Sequence, residues 1–267
     1  MTGEVAGFTP EHEVQGSKRS RIRRIVVCVT LITLVGLAVV VGLAVTYASA
    51  DSSGLIVYPD TFIDLDPNYM IGDKSAKQHY IDVLKDFEAA YTDATPSAQN
   101  LADCSFSYKL RDGMECRYEF MWLGSACNQA NNFGYMDDQP CIVLAFNEPR
   151  EWTPKPYTSP EELPKEMPES LRTHIESLFA SSHPTQFLWV SCTGQYPADK
   201  EFLGPVELSP WPGFPLYYFP VRTSSRGPIL GLTLKGPEFS TLISIECHFW
   251  AKNLETPHVA ARIEFLW

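Results

Sequence analysis

A single long apolar stretch dominates the pattern of hydrophobic and polar positions in this chain. Residues Ile25–Ala50, twenty-six in number, include no Asp, Glu, Lys, Arg, Pro, Asn, Gln or His. The stretch is apolar all round, whereas a surface helix of a soluble domain keeps a polar face. As a helix it would extend about 39 Å, which is enough to cross a bilayer with some tilt. The pattern therefore predicts a transmembrane helix over 25–50.

The charges beside this stretch predict its orientation. Five basic residues precede it, namely Lys18, Arg19, Arg21, Arg23 and Arg24. Because basic residues remain on the cytoplasmic side, we expect residues 1–24 to form a cytoplasmic tail and residues 51–267 to lie outside. Tyr47-Ala48-Ser49-Ala50 is similar to a signal-peptide cleavage site. The apolar run is longer than the ~7–15 residues of a signal peptide, however, which favours a retained signal-anchor.

Periodicity beyond the predicted span indicates a mainly-β domain. Helical spacing over Ser75–Tyr91 places four apolar residues on one face and predicts a helix packed on the edge of the domain. A short helix is predicted around Leu171–Phe179, and the proline-rich residues 147–170 predict a long surface loop. From residue 186 onward the pattern predicts only β structure. Strand-like runs cover 116–123, 141–146, 187–190, 229–232, 242–245 and 261–265.

Six cysteines follow the predicted span, and a seventh, Cys28, lies within it. The six are Cys104, Cys116, Cys127, Cys141, Cys192 and Cys247. An even number in an oxidising compartment predicts disulfides, but six cysteines allow about 15 pairings. Short loops favour Cys104–Cys116 and Cys127–Cys141, which leaves Cys192–Cys247. We expect this last pair at strand ends and between two sheets, as in a β-sandwich.

Charge and motifs give little indication of chemistry. The chain carries a formal charge of −11, and its tail has five basic and three acidic residues, so residues 51–267 are strongly acidic. An acidic surface of this kind does not suit nucleic acid. Asp64-Leu65-Asp66 is a DxD pattern of the kind that binds a metal and a nucleotide sugar, but the chain lacks the βαβ alternation of such enzymes. The histidines are scattered, with no HExxH, and no GxSxG is present.

Four stretches carry a resemblance to a known family. They are Cys116–Gly124 followed by Cys127, Phe133–Val143, Val190–Gly194 with Gly213–Pro220, and Ile245–Leu254. In order and spacing this part of the chain resembles the β subunits of the Na,K-ATPase and H,K-ATPase family. The resemblance implies a single transmembrane helix and an immunoglobulin-like β-sandwich with long loops and one or two short helices. It also implies the disulfides Cys104–Cys116, Cys127–Cys141 and Cys192–Cys247.

The family resemblance also implies a role without chemistry of its own. Such a subunit is no enzyme and has no cofactor. It binds the catalytic α subunit of a P-type cation ATPase, assists its assembly and exit from the endoplasmic reticulum, stabilises it in the membrane and modulates its cation affinity. The implied location is the plasma membrane, with the N-terminus in the cytoplasm. Residues that match the family's contact segment are Tyr217, Tyr218, Phe219 and Pro220, and strand alternation predicts that only some of them face outward.

Contacts within the membrane are expected on the predicted span. Gly36 and Gly42 leave shallow places where another helix can pack, and Tyr47 stands where an interfacial aromatic residue would lie. The chain departs from the family pattern at Val221 and Arg222, where tyrosines usually continue, and it has no Asn-x-Ser/Thr sequon. Two alternatives therefore stay open: an adhesion or structural ectodomain of the same fold that acts without the pump, and an anchored enzyme that uses Asp64-Leu65-Asp66.

Overall fold

The computed structural model describes residues 54–59, 74–93, 101–107, 111, 113–146, 152–221, 227–238, 241–254 and 258–266. All of these belong to the unit Ser53–Trp267, the second of two units into which the chain divides. The predicted span 25–50 and Asp64-Leu65-Asp66 lie outside the described residues. Within the described ranges, no helix is both long enough and apolar enough to cross a membrane.

Two four-stranded antiparallel sheets form the frame of this unit. The first has the order β1-β4-β8-β6, with β1 Leu55–Tyr58, β4 Cys141–Phe146, β6 Val206–Ser209 and β8 Ile229–Leu234. The second has the order β10-β9-β5-β7, with β5 Phe187–Gly194, β7 Gly213–Pro215, β9 Leu242–Trp250 and β10 His258–Leu266. Two further strands, β2 Leu101–Ala102 and β3 Glu115–Cys116, pair in parallel.

Both sheets contribute to one buried core. Leu144 and Leu232 from the first sheet and Val190 and Ile245 from the second belong to the same cluster, and each is at most 1% exposed. Every residue of β8 is buried, in agreement with the apolar run at 229–232 and with the buried Thr233 that follows it. The predictions of a mainly-β domain and of strands at 141–146, 187–190, 229–232, 242–245 and 261–265 are confirmed.

Helix α1, Lys74–Asp93, confirms the predicted helix at 75–91. Its apolar face packs on the core, where Ile81 and Leu84 are fully buried. Phe87 stacks on Tyr58 of β1 with ring centroids 4.1 Å apart, which holds the helix against the edge of the first sheet.

A second hydrophobic cluster covers the outer face of the second sheet. Helix α2, Glu169–Ala180, confirms the predicted short helix and buries Leu171 and Ile175 against Trp189 and Trp250. Three side chains of the proline-rich segment complete the cluster: Tyr157, Leu163 and Met167. Leu163 is 9% exposed and Met167 is 1% exposed. The prediction of a surface loop over 147–170 is therefore wrong for these side chains. The prolines exclude regular structure, but they do not prevent the segment from supplying apolar residues to a core.

The strand predicted at 116–123 is wrong beyond its first residue. After Cys116 the chain turns into a 3₁₀ helix, Phe120–Leu123. Phe120 and Leu123 are both buried, and their spacing of three residues is that of a helical turn rather than a strand. Gly124 ends the turn with a φ of 85°, in the left-handed region that favours glycine.

The prediction that Cys192–Cys247 joins two sheets is also wrong. The two residues are register partners on β5 and β9, which are neighbours in one sheet, and their Cα atoms are 4.0 Å apart. Neither lies at a strand end.

The β-only prediction after residue 186 missed helix α3, Pro197–Leu203. Pro197 stands at its first position, and Asp199 accepts a hydrogen bond from the backbone N–H of Tyr196 over 3.0 Å.

Candidate partner-binding surface

The segment predicted to contact a partner forms a tight turn rather than a strand. β7 leads directly into a 3₁₀ turn, Leu216–Tyr218. The turn directs one tyrosine side chain into the domain and leaves the other partly exposed. Tyr218 is 9% exposed, whereas Tyr217 is half-buried with its ring 5.1 Å from that of Phe106. Alternation along a strand is therefore the wrong reason for this division, because a turn produces it.

Tyr218 is held from two sides. Its hydroxyl donates a hydrogen bond to the backbone carbonyl of Arg117 over 3.0 Å. Its ring meets Tyr118 edge to face at 5.5 Å, and the Tyr118 hydroxyl donates to the carbonyl of Ile229 over 2.5 Å. Burial raises the pKa of both tyrosines well above the usual range, so both remain neutral donors over the physiological pH range.

The disulfide Cys104–Cys116 connects a second segment to this turn. Its Sγ atom on Cys116 lies 3.2 Å from the carbonyl oxygen of Tyr217. Next to it, the Arg117 guanidinium forms ion pairs with Asp103 at 3.0 Å and with Glu119 at 3.4 Å. The Arg117–Asp103 pair therefore joins the residues next to the two half-cystines, and the Cys116 sulfur contacts the aromatic turn.

An open groove of about 500 Å³ lies between these elements. Two tryptophans line it together with the tyrosine pair and Asp103. Trp122 and Trp211 are 36% and 37% exposed, and the ring of Trp122 packs edge to face on Tyr118 at 5.2 Å. We define the aromatic groove by its lining residues Asp103, Cys104, Trp122, Pro210, Trp211, Tyr217 and Tyr218.

The structure therefore brings together only part of the predicted contact set. Tyr217 and Tyr218 line the aromatic groove, whereas Phe219 packs on Phe146 at 5.3 Å and Pro220 is exposed. Gly36, Gly42 and Tyr47 lie outside the described residues.

Sequence reasoning missed both tryptophans as groove residues. Trp122 was assigned to a strand that does not form. Trp211 offers a signal in the sequence that the predictions above do not use. It stands between Pro210 and Pro212, and because proline has no backbone N–H to donate, this position is disfavoured inside a sheet.

The other candidate chemical groups take part in ordinary structural contacts. Asp138 adopts the left-handed conformation at the end of a 3₁₀ segment, Gln129–Asp137, and its carboxylate pairs with Lys77 at 2.7 Å. His248 lies 3.3 Å from the carboxylate of Glu246, and burial lowers its pKa. Among the described residues, no group of three or more His, Cys, Asp or Glu side chains is arranged to hold a metal ion.

Comparison with known proteins decides the family. The family model described as "Sodium / potassium ATPase beta chain" matches residues 32–265. This chain belongs to that family. The resemblance recognised in the sequence is thus confirmed, and with it the assignment to a family of accessory rather than catalytic chains.

Curated relatives agree with the assignment. The sodium/potassium-transporting ATPase subunit beta-2 of Drosophila melanogaster is 34% identical over 185 residues, or 66% of this chain. Subunit beta-1 of the same organism is 31% identical over 187 residues, or 69% of this chain. A probable beta-3 subunit of Caenorhabditis briggsae is 27% identical over 147 residues, or 54% of this chain. The matched regions span 56%, 58% and 41% of these relatives, so the chain spans about half of their length.

Proposed function

We propose that this chain is the non-catalytic β subunit of a P-type ATPase that transports Na⁺ and K⁺, or H⁺ and K⁺. It binds the catalytic α subunit, assists its assembly and exit from the endoplasmic reticulum, stabilises it in the membrane and modulates its cation affinity. The family match over residues 32–265 supports the subunit type. The observation that carries the proposal is the aromatic groove, which is open at the surface of the domain and lined by two tryptophans and two tyrosines.

The proposed organisation has three parts. Residues 1–24 form a cytoplasmic tail, residues 25–50 a signal-anchor helix, and residues 51–267 an extracellular, immunoglobulin-like domain of a type II plasma-membrane protein. The length and composition of 25–50 support the anchor. Gly36 and Gly42 would allow close approach of a helix of the catalytic subunit, with Tyr47 at the membrane interface.

The groove has the composition of a protein-binding hot spot. Tryptophan and tyrosine dominate such sites because they give a large contact area at a low cost in side-chain entropy. Trp122 and Trp211 each leave about a third of their surface open, which a docked segment would cover. Tyr218 is buried and forms part of the floor of the groove. Tyr217 is partly exposed and supplies the remaining aromatic contact surface.

The experiment is co-expression of the full-length chain with a Na,K-ATPase α subunit, with the α subunit at the cell surface measured by biotinylation. The wild-type chain should raise that amount. Trp122→Ala with Trp211→Ala should reduce the gain about tenfold or more, because truncating a hot spot costs about 2 kcal/mol or more. Phe202→Ala, on α3, is the matched control because Phe202 is also 37% exposed.

Two results would count against the proposal in different ways. If the wild-type chain leaves the α subunit at its basal surface level, the escort function is wrong. If the wild-type chain raises it and the double tryptophan variant does so equally, the function stands and the groove is not the contact. The melting temperatures of the variants, measured in parallel, separate lost contact from lost fold.

A further inference from the structure

Among the described strands, β10 forms one end of the second sheet, and its edge at Arg262–Glu264 faces no further strand. β10, His258–Leu266, is the end strand of its sheet, and β9 is its only partner among the described strands. It is nine residues long, whereas the other three end strands of the two main sheets, β1, β6 and β7, have four, four and three. A long exposed edge is a template for pairing with another strand.

The disulfide Cys192–Cys247 establishes which backbone groups point toward each neighbour of β9. A Cα separation of 4.0 Å belongs to a non-hydrogen-bonded pair in an antiparallel ladder. Three residues along, the N–H of Gln195 donates to the carbonyl of Ser244 over 2.8 Å, as the alternation requires. The even-numbered residues of β9 therefore bond to β5, and its odd-numbered residues bond to β10.

The same alternation continues into β10. Ile245 is the register partner of Ile263, so the backbone of Ile263 bonds to β9. The N–H and C=O groups of the adjacent residues, Arg262 and Glu264, consequently point to the open edge. Their side chains share the outer face, where both residues are exposed, and Ile263 is 2% exposed on the opposite face.

We propose that two copies of this chain associate by antiparallel pairing of their β10 strands around a two-fold axis at Ile263. In this register Arg262 of each copy lies directly opposite Glu264 of the other and exchanges both backbone hydrogen bonds with it. Two ion pairs then form across the junction, and the two second sheets become one continuous eight-stranded sheet. This association does not depend on the catalytic subunit.

Charge selects this register over its neighbours. A shift that keeps the outward backbone groups paired places Arg262 opposite Arg262, or Glu264 opposite Glu264. Like charges directly opposite each other destabilise a strand pair, whereas opposite charges stabilise it. Glu246 on β9 already contacts Arg262 at 3.0 Å and orders its side chain on the outer face.

Charge-swap variants of the full-length chain test the proposal. Self-association would be measured by sedimentation equilibrium in density-matched detergent. The wild-type chain should form dimers. Arg262→Glu alone and Glu264→Arg alone should each weaken dimerisation about tenfold, because each creates two like-charge pairs. A mixture of these two variants should restore association as heterodimers, and the double variant Arg262→Glu with Glu264→Arg should dimerise like the wild type.

Controls separate pairing from net charge. Lys200→Glu and Glu201→Arg change the charge by the same amounts at exposed positions on α3 and should leave dimerisation unchanged. In a second test, a chain with Arg262→Cys should form an intermolecular disulfide with a chain carrying Glu264→Cys, since hydrogen-bonded partners lie about 5.5 Å apart. Arg262→Cys should not cross-link with itself. A monomeric wild type, or equal dimerisation of all variants, would overturn the proposal.

Discussion

The hydroxyl of Tyr218 donates a hydrogen bond to the backbone carbonyl of Arg117, and the two atoms are 3.0 Å apart. This bond joins the 3₁₀ turn after β7 to the segment that follows the disulfide Cys104–Cys116. A partly buried contact therefore joins the two segments that carry Trp122 and Trp211 on the sides of the aromatic groove.

Removing this bond should destabilise the domain without emptying the core. Tyr218→Phe keeps the ring but leaves the Arg117 carbonyl without its donor. We expect the free energy of unfolding to fall by about 1–2 kcal/mol. Tyr196→Phe, at a ring that is 58% exposed, should change it by less than about 0.5 kcal/mol. Urea denaturation of both variants provides the measurement, and equal effects would contradict the role given to Tyr218.

The disulfides should differ in their contribution to stability. Cys192–Cys247 closes a loop with a sequence separation of 55, and Cys104–Cys116 closes one of 12. Loop entropy then predicts losses of about 4 and 3 kcal/mol when each pair is replaced by serine. Both sulfurs of the longer loop are buried, which adds a packing cost for that pair. Denaturation midpoints in the reverse order would contradict this account.

Gly231 on β8 has no room for a side chain. A Cβ atom there would lie 2.5 Å from the Cys127 sulfur and 2.8 Å from the Ser209 hydroxyl. Gly231→Ala should therefore destabilise the domain by about 1–3 kcal/mol through overpacking. Gly227→Ala is the matched control, because its nearest neighbours would be 3.7 Å away, an ordinary contact. Thermal melts should show a clear drop in melting temperature for the first variant alone.

An ion pair connects the proline-rich segment to the turn that follows β9 and predicts a pH dependence. Lys252 donates a hydrogen bond to Glu162 over 2.6 Å and, with the backbone N–H of Thr158, lowers the pKa of the Glu162 carboxyl from 4.5 to about 2. A lowered pKa in the folded state gives stability that is present above pH 4.5 and is lost as the pH falls toward 2.

The variant Glu162→Gln tests this sign. Its stability should be lower than that of the wild type near neutral pH, and the difference should disappear between pH 4.5 and 2. Because the pair is partly exposed, 1 M NaCl should also reduce the difference at pH 7. A difference that stays constant across this pH range would show that Glu162 acts through packing instead.

Strong local patterns in the sequence predicted much of this fold. The helical spacing of apolar residues on α1 indicates a helix with one buried face, and the short apolar runs at 141–146 and 229–232, bounded by turn residues, indicate the buried strands β4 and β8. The 3₁₀ turn at Phe120–Leu123 was not predicted, because apolar and polar residues alternate from Cys116 onward in the way that is typical of a strand. Helix α3 is too short to show a period, although Pro197 and Gly204 mark its two ends.

Long-range relationships were the part that sequence could not supply. Pairing Cys192 with Cys247 did not reveal that their strands are neighbours, since a disulfide can join two sheets or two adjacent strands. For the same reason Trp122 and Trp211, far apart in the chain, gave no sign that they line one groove. Tyr217 and Tyr218 were recognised by resemblance, but only the turn shows that Tyr218 supports the groove while Tyr217 remains partly open.

The most direct test of the central claim is co-purification. The full-length chain, tagged at its N-terminus, would be co-expressed with a Na,K-ATPase α subunit and captured after gentle solubilisation. The account predicts that the α subunit is recovered in near-equal amount with the wild-type chain. If the wild-type chain folds and reaches the cell surface while no α subunit is recovered with it, the proposed subunit function is wrong.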